Sequence, residues 1–440
     1  MVWIHGGGYL SGAGDEKRHD GSVLASKGVI VVTINYRLGA LGFLAHSELT
    51  AESPHKASGN YALLDQVAAL KWVHDNIEAF GGDRAKVTIF GESAGSFAVS
   101  GLMATQLARG LFVRAIGESS AQFTAPGGSL AALPLAQAEK RGAEFAASVG
   151  AKSLADLRAL PASAFKKSGQ GTPAMNSPTI DGYVFPEDPW DIYAQGKQSH
   201  VPLLAGWNSA EMKMAAVRGT DALEAALRKQ FPGNEDAAIK AYPAGDVQQA
   251  RVSTVALASD NFIAYSTWKW IEMHTATGKA PVHRYLFDHI IPTATGNPPA
   301  DDPGAAHATD IEFVFSTLET KKLAWRGCGS QGGRHHDVIL DELCEDRRPE
   351  RAWTCALAAV RREEQADSAA RRKSEGRGGD QPRPLRIAGC HDCQTAKELS
   401  ISCEGPMIRP AAGFRYPELS QGARNIADTE CASFGDREID

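Results

Sequence analysis

A serine set between glycines is the first feature of this chain with chemical potential. Residues 86–96 read KVTIFGESAGS, in which a short apolar, β-branched run breaks at Gly91 and a helix can continue from Ala94. Strand, sharp turn and helix with Gly-Glu-Ser-Ala-Gly at the turn is the nucleophile-elbow pattern. Such a turn lifts the Ser93 hydroxyl above the sheet edge and aims the Ala94 N–H at an oxyanion. Gly91 and Gly95 lack a Cβ, so neighbouring backbone can pass close. A bare G-x-S-x-G arises by chance on the order of 0.3 times in a chain with this much glycine, so its place directly after an apolar strand is what makes it informative.

A serine hydroxyl attacks a carboxylic ester only with help. An imidazole must take its proton and return it to the leaving alcohol. A carboxylate must hold the imidazole's tautomer, and donors must meet the tetrahedral oxyanion. The donors are foreshadowed at the start of the chain, where a strand over residues 2–4 runs into His5-Gly6-Gly7-Gly8-Tyr9. A glycine run after a strand lets main-chain N–H groups converge on one point. A carboxylate candidate, Glu211, lies just past the short apolar strand VPLLAG at residues 201–206. Thirteen histidines compete for the base. His19, His55, His74 and His200 sit in polar surroundings and read as solvated. His283 and His289 flank a strand, His5 belongs to the glycine loop, and His307 lies in a loop ahead of an apolar turn. Spacing leaves the choice among them open.

The elements that must position these groups alternate. Residues 29–34, VIVVTI, form a continuous β-branched run suited to a parallel strand buried on both faces. In SGNYALLDQVAALKWVHDNIEAFGGD, Leu63, Leu64, Val67, Leu70, Val73 and Ile77 repeat at three and four, the period of an amphipathic helix that Gly81-Gly82 stops. Strands are expected at residues 87–90, 112–116, 201–206 and 283–288. Residues 127–170 read as a helical insertion, and residues 221–270 as mainly helical. Strand and helix in alternation predict an α/β class with a mainly parallel sheet.

The chain has 440 residues and a net charge of −6, which gives no reason to expect nucleic acid or an anionic membrane as partner. No window approaches the ~18 consecutive apolar residues of a membrane span. The opening MVWIHGGG reads as a strand entering a loop, without the basic start of a signal peptide. All 7 cysteines follow Gly327, a placement unlike a disulfide framework.

The segments VWIHGGGY, INYRLGALGFL, SGNYALLDQVAALKWVHDNIEAFGGD, VTIFGESAG, PTIDGYVFPEDP, PLLAGWNSAE and GAAHATDIEFVF occur in one order. Together, over roughly residues 2–325, the chain resembles the type-B carboxylesterases, the α/β-hydrolases that include para-nitrobenzyl esterases and cholinesterases. The resemblance implies the α/β-hydrolase fold with helical insertions and hydrolysis of a small-molecule carboxylic ester through an acyl-serine, without metal or organic cofactor. It carries the nucleophile onto Ser93, the acid onto Glu211, the base onto His307, and the oxyanion donors onto the N–H groups of Gly7, Gly8 and Ala94. It makes Glu92 a buried acid beside the site rather than a catalytic group. Ala210 and Met212 flank Glu211 where the family usually has Asp and Gly. A non-catalytic binding protein of the same fold is the alternative, although such relatives typically lose the nucleophile. Oligomeric state and compartment stay open.

Two departures are expected from the same resemblance. The family has further strands before the HGGG strand, so residues 1–326 read as a hydrolase domain incomplete at its start. After Arg326 the apolar periodicity fades, and residues 327–440 read either as a solvated, partly disordered tail or as out-of-frame translation. Back-translation of residues 337–363 with GC-rich codons, read one frame over, permits TSSWTNFAKTGDPNGPGLARWPPYDEK, which resembles the family's C-terminal helix and turn. A non-functional product of a carboxylesterase gene is therefore a further alternative. The CHDC at residues 390–393 has no second such pair, and with His335-His336 it is not read as a metal site.

Overall fold

Alternation along short strands decides the layering of this protein. A computed structural model describes residues 1–123, 130–166, 171–216, 219–296 and 302–323. The tail expected from residue 327 onward, with its cysteines and His335-His336, lies outside the described residues. Six strands form one sheet: β1 (Val2–Ile4), β2 (Val32–Ile34), β3 (Thr88–Glu92), β4 (Arg114–Glu118), β5 (Leu203–Asn208) and β6 (Val282–Phe287). Their order is β2-β1-β3-β4-β5-β6, and every neighbouring pair is parallel. This is the mainly parallel α/β sheet that the alternation of strand and helix predicts.

Side chains on a strand point to opposite faces in turn. Trp3, Phe90 and Ile116 therefore meet on one face, with Ile311, Val314 and Phe315 packed on them. Trp3 lies 4.8 Å from Phe90 and 4.9 Å, edge-on, from Phe315 between ring centroids. Val2, Ile4, Ile89 and Ala115 point the other way, into the larger core. That core receives helix α1 (Tyr61–Asn76) through Leu63, Val67, Leu70 and Val73, and helix α2 (Ala94–Ala104) through Phe97, Val99 and Leu102. Gly81, at a φ of 82°, ends the turn that follows α1, as its sequence predicts.

Two sequence expectations need correction. Residues 29–34 do not make a strand buried on both faces: only Val32–Ile34 is strand, it pairs with β1 alone, and Thr33 is exposed. It is the edge of the described sheet, where one side of the ladder has no partner among the described residues. His19, expected to be solvated, is buried, with its ring 5.2 Å from Trp3.

The insertion brings helix α3 (Leu135–Ser148), whose Phe145 packs with Leu154, Leu157 and Met175 in a separate cluster. Farther on, helices α4 (Val247–Ser259) and α5 (Tyr265–Thr277) are joined without a break through a π-helical turn at Asp260–Ala264. A π turn widens the helix locally and occurs often at functional sites. Among the described residues no helix is long and apolar enough to cross a membrane.

Candidate active site

The elbow is built from its neighbours as much as from itself. Ser93 sits between β3 and α2 with φ 55° and ψ −122°, a conformation that strains any residue with a Cβ. Its N–H donates to Glu118 O on β4 at 2.8 Å, and its carbonyl accepts from Phe97 N at 3.0 Å, which starts the helix. Gly95 is required by close approach: a Cβ there would stand 1.9 Å from Ile4 O on β1. The elbow thus seats directly on the strand that leads into the glycine loop.

That loop lies against the serine. A Cβ on Gly6 would fall 2.8 Å from the Glu92 carbonyl and 3.1 Å from Ser93 Cβ. Gly7 and Gly8 take φ values of 102° and 63°, open to glycine at no steric cost. The Gly7 carbonyl accepts from Leu10 N and Ser11 N at 3.0 and 3.1 Å, and the Gly8 carbonyl from Asn176 Nδ2 at 3.0 Å. Tyr36 stacks on His5 at 4.4 Å and donates to its carbonyl at 2.6 Å, anchoring the loop at its root. Ala94 is the first residue of α2, so its N–H has no partner within the helix.

Of the histidines, His307 reaches Ser93. The loop after β5 carries Glu211, whose Oε1 accepts from Asn208 N at 2.7 Å and whose side chain is wholly buried. His307 Nδ1–H donates to Glu211 Oε2 at 2.7 Å, which leaves Nε2 free to accept from the Ser93 hydroxyl at 2.9 Å. Ser93, Glu211 and His307 come together from three separate loops, with the glycine loop and Ala94 beside the serine. The Phe262 ring, carried on the π turn, stands edge-on to the imidazole at 5.4 Å.

Beneath the imidazole is a nest of acids. Glu92 Oε1 lies 3.4 Å from His307 Nε2. Asp310 accepts from Asn208 Nδ2 at 3.2 Å and from Tyr285 Oη at 3.4 Å. Glu118, paired across the ladder with Glu92, is fully buried, and neither carboxyl oxygen has a hydrogen-bond partner among the described residues. Burial pushes Glu92 up to about 8 and Asp310 up to about 6, and raises Glu118 well above the ordinary carboxylate range. Burial alone would lower His307. The Glu92 charge and the hydrogen bond that His307 donates to Glu211 outweigh it and hold the imidazole up at about 9. A proton on Glu92 removes the charge that raises His307, so the two groups titrate as a pair.

The sequence reading did not anticipate Glu118, Asp310, Asn208 or Phe262. Glu118 and Asp310 carry a weak signal, as acids set in apolar strand and helix ends. Phe262 carries none, because on a helical pattern it is one apolar residue among many.

This architecture and its residues have known counterparts. Residues 1–326 match the profile described as the carboxylesterase family. The chain belongs to the carboxylesterase family. It is 36% identical over 348 residues to the fumonisin B1 esterase of Sphingopyxis macrogoltabida, covering 77% of this chain and 62% of that one. It is 37% identical over 332 residues to the para-nitrobenzyl esterase of Bacillus subtilis (strain 168), covering 72% and 64%. A solved PNB esterase structure superimposes with a TM-score of 0.58 at 35% identity, covering 73% of this chain and 67% of that one. The chain spans less than two thirds of the length of these curated carboxylesterase relatives, 62% and 64%.

Proposed function

We propose that this protein hydrolyses small-molecule carboxylic esters through an acyl-serine intermediate, with residues 1–326 as the hydrolase unit. The single observation that carries this reading is the unbroken relay from Glu211 through His307 to Ser93, at 2.7 and 2.9 Å. These are hydrogen-bond distances suited to proton transfer. The membership of the family, and relatives named as esterases, support the ester as substrate class.

In the first half-reaction Ser93 Oγ attacks the ester carbonyl carbon while its proton passes to His307 Nε2. Glu211 stabilises the imidazolium through Nδ1–H. The negative oxygen of the tetrahedral intermediate is met by the N–H groups of Gly7, Gly8 and Ala94. The intermediate collapses, the imidazolium returns its proton to the departing alkoxide, and an alcohol leaves. Water then repeats the sequence on the acyl-serine and releases the acid. Glu92, 3.4 Å from Nε2, places a second acid beside the imidazolium formed in each half-reaction.

Ser93→Ala removes the attacking oxygen and little else. We expect it to abolish hydrolysis of para-nitrophenyl acetate and to block labelling by a fluorophosphonate probe. Turnover by S93A at the parent rate would remove Ser93 from the mechanism and the proposal with it.

A further inference from the structure

Glu211 and His307 reside on different loops, so their 2.7 Å contact exists only while those loops keep one register. Residues 208–213 and 302–310 are laced together. Asn208 Nδ2 donates to Ala306 O at 2.8 Å, Ala210 N to Ala305 O at 2.9 Å, and His307 N to Glu211 O at 3.2 Å. The longest of the three is the one at the paired residues themselves. Beyond it lies an ion pair: Lys213 Nζ meets Asp302 Oδ2 at 2.5 Å and also donates to Gly304 O at 3.2 Å. Asp302 uses its other oxygen to accept from Gly304 N at 3.1 Å, so it holds its own turn as well. The pair is largely dry, with the lysine side chain 22% exposed and the aspartate 5%. Surface pairs contribute little, but a desolvated, charge-assisted one has few alternative arrangements.

We propose that Lys213 and Asp302 form a latch that sets the register of the two loops, which makes Lys213 a positioning residue for the His307 imidazole. The lysine stands two residues after the acid, and the aspartate five before the base. The latch therefore closes the far end of the lacing, while the strand end is held by Asn208. Consecutive Cα atoms stand about 3.8 Å apart, so a one-residue slip between the two loops moves their backbones by ångströms. Displacement by about 1 Å at a reacting group can lower the rate by about 100-fold. The neighbours of Glu211 underline the need. Met212 follows it, its N–H donated to Ser259 Oγ at 3.0 Å, so the loop leans on α4 and is tied to the base loop beyond that point by Lys213.

This inference rests on the esterase reading, and the experiment separates the two. Hydrolysis of para-nitrophenyl acetate and the rate of fluorophosphonate labelling are measured for the parent, S93A, K213M, K213R, D302N and L157A. Activity in S93A at the parent rate would sink the reading itself. With S93A inactive, Lys213→Met should lower kcat by about 10- to 100-fold while KM stays within about threefold. Asp302→Asn, close to isosteric, should show the same split and decides the matter should K213M fail to fold. Lys213→Arg should recover at least tenfold of the loss, which a merely space-filling lysine would not require. Leu157→Ala, in the separate cluster with Phe145, should lower Tm with kcat unchanged. Parent-like kcat in K213M or D302N, or K213R as slow as K213M, overturns the latch.

Discussion

Replacing Glu92 by Gln keeps the shape of the buried acid and removes its charge from beside His307, the proposed base. In the folded protein that carboxylate lies 3.4 Å from His307 Nε2, and both groups are largely out of water. With an effective dielectric of about 20, two unit charges at this separation interact by about 5 kcal/mol. That corresponds to a ceiling of about 3.5 pH units on the imidazole. The ceiling is not reached, since the imidazole is 26% exposed and Glu92 itself takes a proton at about 8, inside the same window. A fall of about 1–3 units from the value near 9 is what a neighbouring charge ordinarily gives. In the proposed mechanism only neutral His307 can accept the Ser93 proton, so activity would turn on as pH rises through the imidazole's titration. E92Q should therefore move the acid limb of kcat/KM towards lower pH. It should also lower the alkaline plateau, because the same charge steadies the imidazolium of the transition state. The assay is para-nitrophenyl acetate hydrolysis from pH 5 to 10, read at the isosbestic wavelength of the phenol. An acid limb that stays in place, or moves upward, refutes the electrostatic reasoning.

Two further outcomes follow from the same site. Ser93 is held at φ 55°, where a non-glycine residue costs about 1–3 kcal/mol, and glycine gives back part of that gain as unfolded-state entropy. Ser93→Gly should thus abolish turnover and raise stability by about 1 kcal/mol, checked by urea unfolding; an unchanged or lower midpoint contradicts the strain. Glu92, Asp310, Glu118 and His307 all have folded values above their ordinary ones, so between roughly pH 4 and 9 the folded chain holds more protons at these sites than the unfolded one. Their stabilisation is present at the acid end and is lost as pH rises through the folded values. The buried His5, His19 and His274 have lowered values, and their contribution is lost in the other direction, as pH falls. Tm should accordingly decline from about pH 6.5 to 9, and Glu118→Gln should flatten that decline; a parent-like slope in E118Q would show that Glu118 holds no extra proton in the folded state over that range.

Short-range features of the chain were legible before any fold was known. The strand, turn and helix around Ser93 follow from six or seven adjacent residues. The helix at Tyr61–Asn76 follows from an apolar repeat at three and four, and its stop from a glycine pair. The order of the strands and helices pointed to a parallel sheet, and the resemblance pointed to Glu211 and His307. The misreadings have a common source. Residues 29–34 look like a central strand because β-branched composition records strand propensity, and composition does not record which ladder edge has a partner. His19 looked solvated because its sequence neighbours are charged, whereas its spatial neighbours are Trp3 and Phe315.

What the amino-acid order determines by itself here is local: where backbone turns, which face of each element is apolar, and which residue types could do acyl transfer. Only the tertiary structure decides which imidazole meets a serine 214 residues away, or that an aspartate 89 residues beyond Lys213 closes upon it. It also decides that Glu92, Glu118 and Asp310 lose their water together. The reason is that proton affinity and ion-pair strength depend on distance and dielectric. Those are properties of the packed chain, and no stretch of it possesses them alone.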